Sequence, residues 1–302
     1  MTLKILKASD PVRVEQIVIC LYSQPGLGKT SLGFTATAPL DVDFDKGVHR
    51  AANRKDSVPV NSWDEVMLIT AEDLAPYKTV IIDTAGRALD FLSAYIINEN
   101  PKMGGPNGLS QPGWGKLKLS FGNWLKNLRI QGKDVVLLAH MDEQRSGDEY
   151  VERLDVQGGS KAEIYKSSDA MGRIMIDPKG QRFLDFNPRS NSFGKNPCQL
   201  DLIPYPPPAK DPDTLAKVIS TIKERLNQMS AEQQEAEREV EEWRMALEDF
   251  STVDDFNKMM PEFKKASVII KGMVNKRARS LGFVYNKNAG LYEAGQEPHA
   301  SS

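Results

Sequence analysis

Residues 23–30, Ser23-Gln24-Pro25-Gly26-Leu27-Gly28-Lys29-Thr30, place two glycines, a lysine and a hydroxyl in one short turn. Glycine admits the positive φ that lets successive backbone N–H groups converge on one point. A lysine adds a full cation beside those dipoles, and a threonine hydroxyl is a good ligand for a hard metal ion. These are the parts needed to hold a chain of phosphates with Mg²⁺. The spacing G-x-x-x-x-G-K-[ST] is kept throughout except at its first position, where Ser23 replaces glycine. The binding set expected here is Ser23, Gln24, Pro25, Gly26, Leu27, Gly28, Lys29, Thr30 and Ser31, around a nucleoside triphosphate.

A phosphate-bound Mg²⁺ needs a second acidic contact, supplied by an Asp at the end of a strand beside the loop. Residues 77–83, Tyr-Lys-Thr-Val-Ile-Ile-Asp, form an apolar run that closes on Asp83, so Thr30 and Asp83 are the expected metal pair. Hydrolysis further requires a group that orients water. Asp45 fits, standing where the run through Phe44 gives way to a loop. The competing reading makes Asp41, Asp43 and Asp45 alternating solvent-facing residues and strand caps. His140 ends the apolar run Val-Val-Leu-Leu-Ala-His, where a polar ring can sense the outermost phosphate.

These groups need a common scaffold. Apolar runs at 17–22, 40–44, 79–83 and 135–140 alternate with helical patterns, which argues for a mostly parallel sheet between helices. Residues 114–130 carry an apolar stripe at Leu117, Phe121, Trp124, Leu125 and Leu128, predicting the helix that feeds the run ending at His140. Residues 173–177 and 181–186 flank Pro178-Lys179-Gly180 and read as a hairpin at the far edge of the sheet. The segments 98–115 and 141–170, the latter containing Gln157-Gly158-Gly159-Ser160-Lys161, read as long loops at the ligand edge. A proline-rich loop at 204–208 precedes a helix over 213–229. The capping-box pattern Ser230-Ala231-Glu232-Gln233 then opens a second, highly charged helix running to 250. The division expected is a nucleotide-binding core at 1–228 and a small, mainly helical module at 229–302. The module ends in a hairpin around 283–292 and a loose tail.

Composition excludes several classes. The 302 residues carry a net charge of −2, so no global signature of a polyanion binder exists and such a surface must be local. Basic residues gather between Lys258 and Arg279, which suits either phosphate contact or a solvated helix face. Two cysteines form no disulfide framework. No stretch has the length of a membrane span, and the first residues lack a signal-peptide core, so a cytoplasmic protein without membrane contact is expected.

The ordered set Gly-Leu-Gly-Lys-Thr-Ser, Asp-Phe-Asp-Lys-Gly-Val-His-Arg, Val-Ile-Ile-Asp and Val-Val-Leu-Leu-Ala-His resembles the phage-associated RecA-like ATPases, including the Sak-type single-strand annealing proteins, over residues 14–227. The resemblance implies an α/β fold with a RecA-like P-loop NTPase core, with ATP and Mg²⁺ at the loop. It implies single-stranded DNA as a partner, with a single-strand-binding protein as a further one, and a homo-oligomeric ring or filament. By the same resemblance Asp45 stands where related ATPases carry a catalytic Glu, and the shorter side chain implies slow hydrolysis. Arg189 and Lys195, after the edge hairpin, stand where a neighbouring subunit's basic finger is expected. The function implied is annealing or strand pairing of single-stranded DNA, with ATP controlling assembly. The alternatives are a nucleotide-gated loader or adaptor for a replication protein and, less supported, a small-molecule kinase.

Overall fold

The computed structural model describes residues 13–106, 108–146, 149–156, 160–189 and 191–295. Residues 1–12, Gln157-Gly158-Gly159 and the tail beyond Gly295 lie outside the described residues. In chain order the first elements are β1 (Val18–Ser23), α1 (Lys29–Gly33), β2 (Pro39–Asp43), β3 (Ser57–Pro59), α2 (Trp63–Met67), α3 (Ala71–Leu74), β4 (Thr79–Asp83) and α4 (Ala85–Glu99). They are followed by β5 (Gly104–Gly105), β6 (Gly108–Leu109), α5 (Gln111–Ile130), β7 (Asp134–Ser146), β8 (Glu149–Leu154) and α6 (Ser160–Ser167). Then come β9 (Ala170–Ile176), β10 (Arg182–Asp185), β11 (Ile203–Tyr205) and α7 (Thr214–Asp249).

Among the described residues nine strands form one sheet in the order β11-β10-β9-β1-β7-β4-β2-β3, with β8 paired to β7. The strands from β9 through β3 run parallel, and β10, β11 and β8 are antiparallel additions. A mostly parallel sheet must be covered on both faces, and its strands accordingly alternate between two cores. Cys20, Tyr22, Val80, Ile82, Val135 and Leu137 pack with α4 and α5. Ile19, Leu21, Ile81, Val136 and Leu138 face the other way, toward Leu32 and Phe34 and the Leu215–Ile222 turns of α7. The predicted stripe of α5 is buried at Leu117, Phe121, Leu125 and Leu128, below a cap in which the Ser110 hydroxyl accepts from the Gly113 N–H at 3.4 Å.

Several expectations change. The loop expected at 98–115 is mostly structured: α4 extends to Glu99, β5 and β6 form a short pair, and α5 starts at Gln111, because Ser110 and Pro112 supply a helix start upstream of Trp114. The loop expected at 141–170 is replaced by a hairpin and a helix. β7 continues six residues past His140 by pairing with β8, where Val151 and Leu154 are buried, and α6 follows with Ile164 inside the core. The proline-rich loop begins as the edge strand β11, where Pro204 is tolerated because an edge N–H needs no ladder partner. Ser230-Ala231-Glu232-Gln233 opens no helix, since α7 runs without interruption through it. Neither glycine nor proline stands between 213 and 250 to stop it.

The chain divides into two compact units, one of them Val14–Asn227. The other contains the residues from Gln228 onward, with α8 (Val253–Lys258), α9 (Met260–Lys265), α10 (Val268–Ser280), β12 (Phe283–Asn286) and β13 (Leu291–Ala294). Trp243 and Leu247 at the end of α7, with Phe256, Met260, Phe263, Ile270, Val274 and Tyr292, form its separate core. β12 and β13 make the expected terminal hairpin.

Candidate nucleotide-binding site

β1 is buried along its whole length and delivers the loop at its C-terminal end, where ligands of open α/β sheets bind. Gly26 and Gly28 stand at φ +84° and +88°, so the two glycines hold the backbone where other residues would be strained. Gly28 is also the N-cap of α1. Lys29 is 6% exposed, and its ammonium folds back onto the loop, donating to the Ser23 carbonyl at 3.2 Å and the Gln24 carbonyl at 3.1 Å. Ser23 Oγ lies 3.4 Å away. The replacement of the first glycine thus adds a hydroxyl to the lysine's surroundings. Burial pulls the Lys29 pKa down to about 8, against the opposing fields of Asp83 and Asp45. A cation held in this way beside converging N–H groups suits the dianionic end of a triphosphate.

The expected metal pair is assembled. Thr30 Oγ1 donates to Asp83 Oδ2 at 2.5 Å across 53 residues of sequence. β7 lies between β1, which leads into the loop, and β4, which ends on Asp83, so Asp83 reaches across one strand to Thr30 at the start of α1. Burial raises the Asp83 pKa to about 6; the Thr30 hydroxyl and Lys29 oppose this, and Asp43 and Asp45 add to it. A dication would satisfy the same hydroxyl and carboxylate and relieve that crowding of negative charge. The residues present therefore fit Mg²⁺ and phosphate: Lys29 and the loop N–H groups would hold the phosphates, and Thr30 and Asp83 would hold the metal. Bound Mg²⁺ would neutralise charge that develops on the transferred phosphoryl group.

The three aspartates of β2 and its following loop have three different environments. Asp41 and Asp43 are 0% and 1% exposed, so neither is solvent-facing. Asp43 caps the turn after β2, accepting from the N–H groups of Gly47 at 3.1 Å and Val48 at 3.2 Å. Asp45 is drawn toward three cations or potential cations: Arg50 at 3.5 Å, Arg87 of α4 at 3.7 Å and His140 at 3.9 Å. Its own N–H donates to the Asp83 carbonyl at 3.1 Å, which fixes it beside the metal pair. His140 pairs in register with Ser23, the first residue of the loop. Burial, and then the Lys29 charge, hold its pKa below the usual value, with Asp45 opposing. A neutral ring results, and its Nδ1 is buried without a hydrogen-bond partner. Beyond it, Glu143 accepts from the loop's Gln24 at 2.7 Å.

Neither type nor spacing marks Asp41 as a functional group, yet its carboxyl is more strongly perturbed than that of Asp83. Burial, then Asp83 and Asp43, push its pKa to about 9, and neither of its oxygens has a hydrogen-bond partner. The native state keeps this proton at neutral pH while the unfolded chain, near 3.8, has lost it. The stability that the proton supports is complete below 3.8 and declines as pH rises toward 9. Asp41→Asn therefore raises stability more at pH 8 than at pH 5, by a difference on the order of a few kcal/mol. Urea melts at the two pH values check this; equal gains at both would contradict it.

Arg189 and Lys195 are engaged within their own chain. Arg189 donates to Asp185 at 2.9 and 2.6 Å, while Lys195 donates to the Ser168 carbonyl at 2.5 Å and lies over the Tyr165 ring. Two groups that touch the loop escape sequence reasoning altogether. Arg182 Nη1 donates to the Leu27 carbonyl at 3.3 Å, and Tyr205 Oη to the Gly28 carbonyl at 2.9 Å. No motif marks either one; only the pairing of β10 with β11 brings them to the loop.

A family model described as an AAA domain matches residues 15–198. The chain belongs to the AAA domain family. No curated protein matches it. The AAA domain encloses the loop, Asp45, Asp83, His140 and both candidate finger residues, whereas Tyr205 lies beyond the match. The mixed α/β architecture with its mostly parallel, helix-covered sheet is consistent with a P-loop NTPase, and an AAA domain implies nucleotide binding. Among the described residues no helix is long and apolar enough to cross a membrane.

Proposed function

We propose that this AAA domain binds Mg²⁺–ATP at residues 23–31 and uses it to control an assembly that binds single-stranded DNA and promotes its annealing or strand pairing. The observation that carries the nucleotide part is the convergence of Lys29, Thr30 and Asp83. At a glycine turn, a buried lysine and a hydroxyl at the start of α1 meet a carboxylate that ends β4, a strand separated from β1 by one other. Asp45, held beside Asp83 by the backbone and by Arg87, is the residue we assign to orienting the attacking water, and His140 the one that senses the outermost phosphate. Arg189 or Lys195 would serve a neighbouring subunit.

The DNA part is supported by the resemblance to the annealing proteins and by local charge. Residues 250–295 hold eight Lys or Arg against four Asp or Glu in a chain whose net charge is −2. Titration of a labelled single-stranded oligonucleotide by fluorescence anisotropy, with and without an ATP analogue, tests it. Binding should strengthen with the analogue and weaken steeply with salt, because each phosphate contact releases counterions. Absence of binding at low salt overturns the annealing reading and leaves the nucleotide-gated loader or adaptor.

A further inference from the structure

The phosphate loop is gripped from behind by a cross-strand pair at the antiparallel edge of the sheet. Arg182 and Tyr205 are directly opposite in the β10–β11 register, and the guanidinium carbon sits 4.5 Å above the tyrosine ring. From this stack Arg182 donates to the Leu27 carbonyl and Tyr205 to the Gly28 carbonyl, across 155 and 177 residues of sequence. A trans peptide is planar, so its C=O and its N–H point in opposite directions. The Leu27 carbonyl shares a peptide plane with the Gly28 N–H, and the Gly28 carbonyl shares one with the Lys29 N–H. Holding both oxygens on one side therefore aims both N–H groups to the other, the side on which a phosphate is received.

The fit at Gly28 is close. A Cβ there would lie 2.5 Å from Arg182 Nη1 and 3.1 Å from Tyr205 Oη, so a side chain at this position would displace the pair even if φ +88° were tolerated. Tyr205 is 1% exposed, and burial raises its pKa to about 12, which keeps its hydroxyl a donor at any working pH.

We propose that Arg182 and Tyr205 are positioning residues of the nucleotide site, a brace that holds the loop in its phosphate-receiving conformation before nucleotide arrives. The proposal rests on the nucleotide reading above. It makes the antiparallel edge strands, which carry no phosphate-binding motif, part of the site. A preorganised loop need not be ordered on binding, so losing the brace appears in affinity and leaves the chemical step alone.

ATP titration calorimetry and steady-state hydrolysis on Arg182→Ala, Arg182→Lys and Tyr205→Phe test it. Arg182→Ala should weaken ATP binding about tenfold, and Tyr205→Phe, which keeps the ring but loses the donor, about three- to tenfold. Arg182→Lys should fall between Arg182→Ala and the unsubstituted chain. KM for ATP should rise while kcat stays within about twofold, and the far-UV spectrum should not change. ATP affinities of Arg182→Ala and Tyr205→Phe within about twofold of an ATP-binding unsubstituted chain would overturn the brace alone. An unsubstituted chain that binds no ATP would overturn the nucleotide reading and the brace with it.

Discussion

Lys29→Ala is expected to lose ATP binding altogether in a calorimetric titration that saturates the unsubstituted chain. The lysine is almost fully buried, and the oxygens that receive its protons are those of its own loop, so nothing nearby can substitute for it. Truncating one member of a buried charge pair removes about 2–5 kcal/mol, or roughly 30- to several-thousandfold in affinity. The loss should not come from unfolding. Burial works against the Lys29 charge, lowering its pKa to about 8, which offsets part of the cost of leaving the Ser23 and Gln24 carbonyls without this donor. The far-UV spectrum should therefore stay that of a folded chain while binding disappears. Retained ATP affinity in a folded Lys29→Ala protein would remove the loop from the site.

Asp83→Asn separates metal from nucleotide. The amide keeps the volume of the carboxyl and can still accept from Thr30, so packing at the end of β4 should persist. What it cannot supply is the negative charge that would help to hold the metal. ATP binding in EDTA should be unchanged or slightly stronger, because one anion has left the site. The gain in affinity on adding Mg²⁺ should vanish, and hydrolysis should fall at least about a hundredfold, the scale on which a charge-stabilising group acts in phosphoryl transfer. The same substitution removes a group whose burial raises its pKa to about 6, so stability at pH 8 should not drop. Calorimetry and phosphate release, each with Mg²⁺ and with EDTA, read all of these; a Mg²⁺ response equal to that of the unsubstituted chain would exclude Asp83 as the second metal contact.

The parts of the site that could be read in the sequence are those whose chemistry is local along the chain. The loop is one contiguous stretch, and Asp83 and His140 each end an apolar run, so their meeting at one sheet edge follows once the runs are taken as parallel neighbours. Strand order supplied the rest: β7 falls between β1 and β4 and sets His140 beside Ser23. Asp41 shows why alternation alone misleads. A carboxylate two residues from another on a strand reads as a solvent-facing pattern, but β2 lies inside the sheet between β4 and β3, and Asp41 is at 0% exposure. Arg182 and Tyr205 were illegible for a different reason. Each lies in a short strand with no distinguishing neighbours, and their contact with the loop exists only after β9, β10 and β11 have been laid down in order. The continuous helix α7 reflects the limits of capping signals, since a serine and a glutamine three apart are also compatible with a helix interior.

The position of a bound nucleotide is decisive, and a structure with Mg²⁺ and a non-hydrolysable ATP analogue measures it directly. It should show the phosphates against the N–H groups of residues 26–30, the Lys29 ammonium swung from the Ser23 and Gln24 carbonyls onto the outer phosphates, and the metal between Thr30 and Asp83. A nucleotide bound elsewhere, with Lys29 still on its own loop and Thr30 still on Asp83, would contradict it.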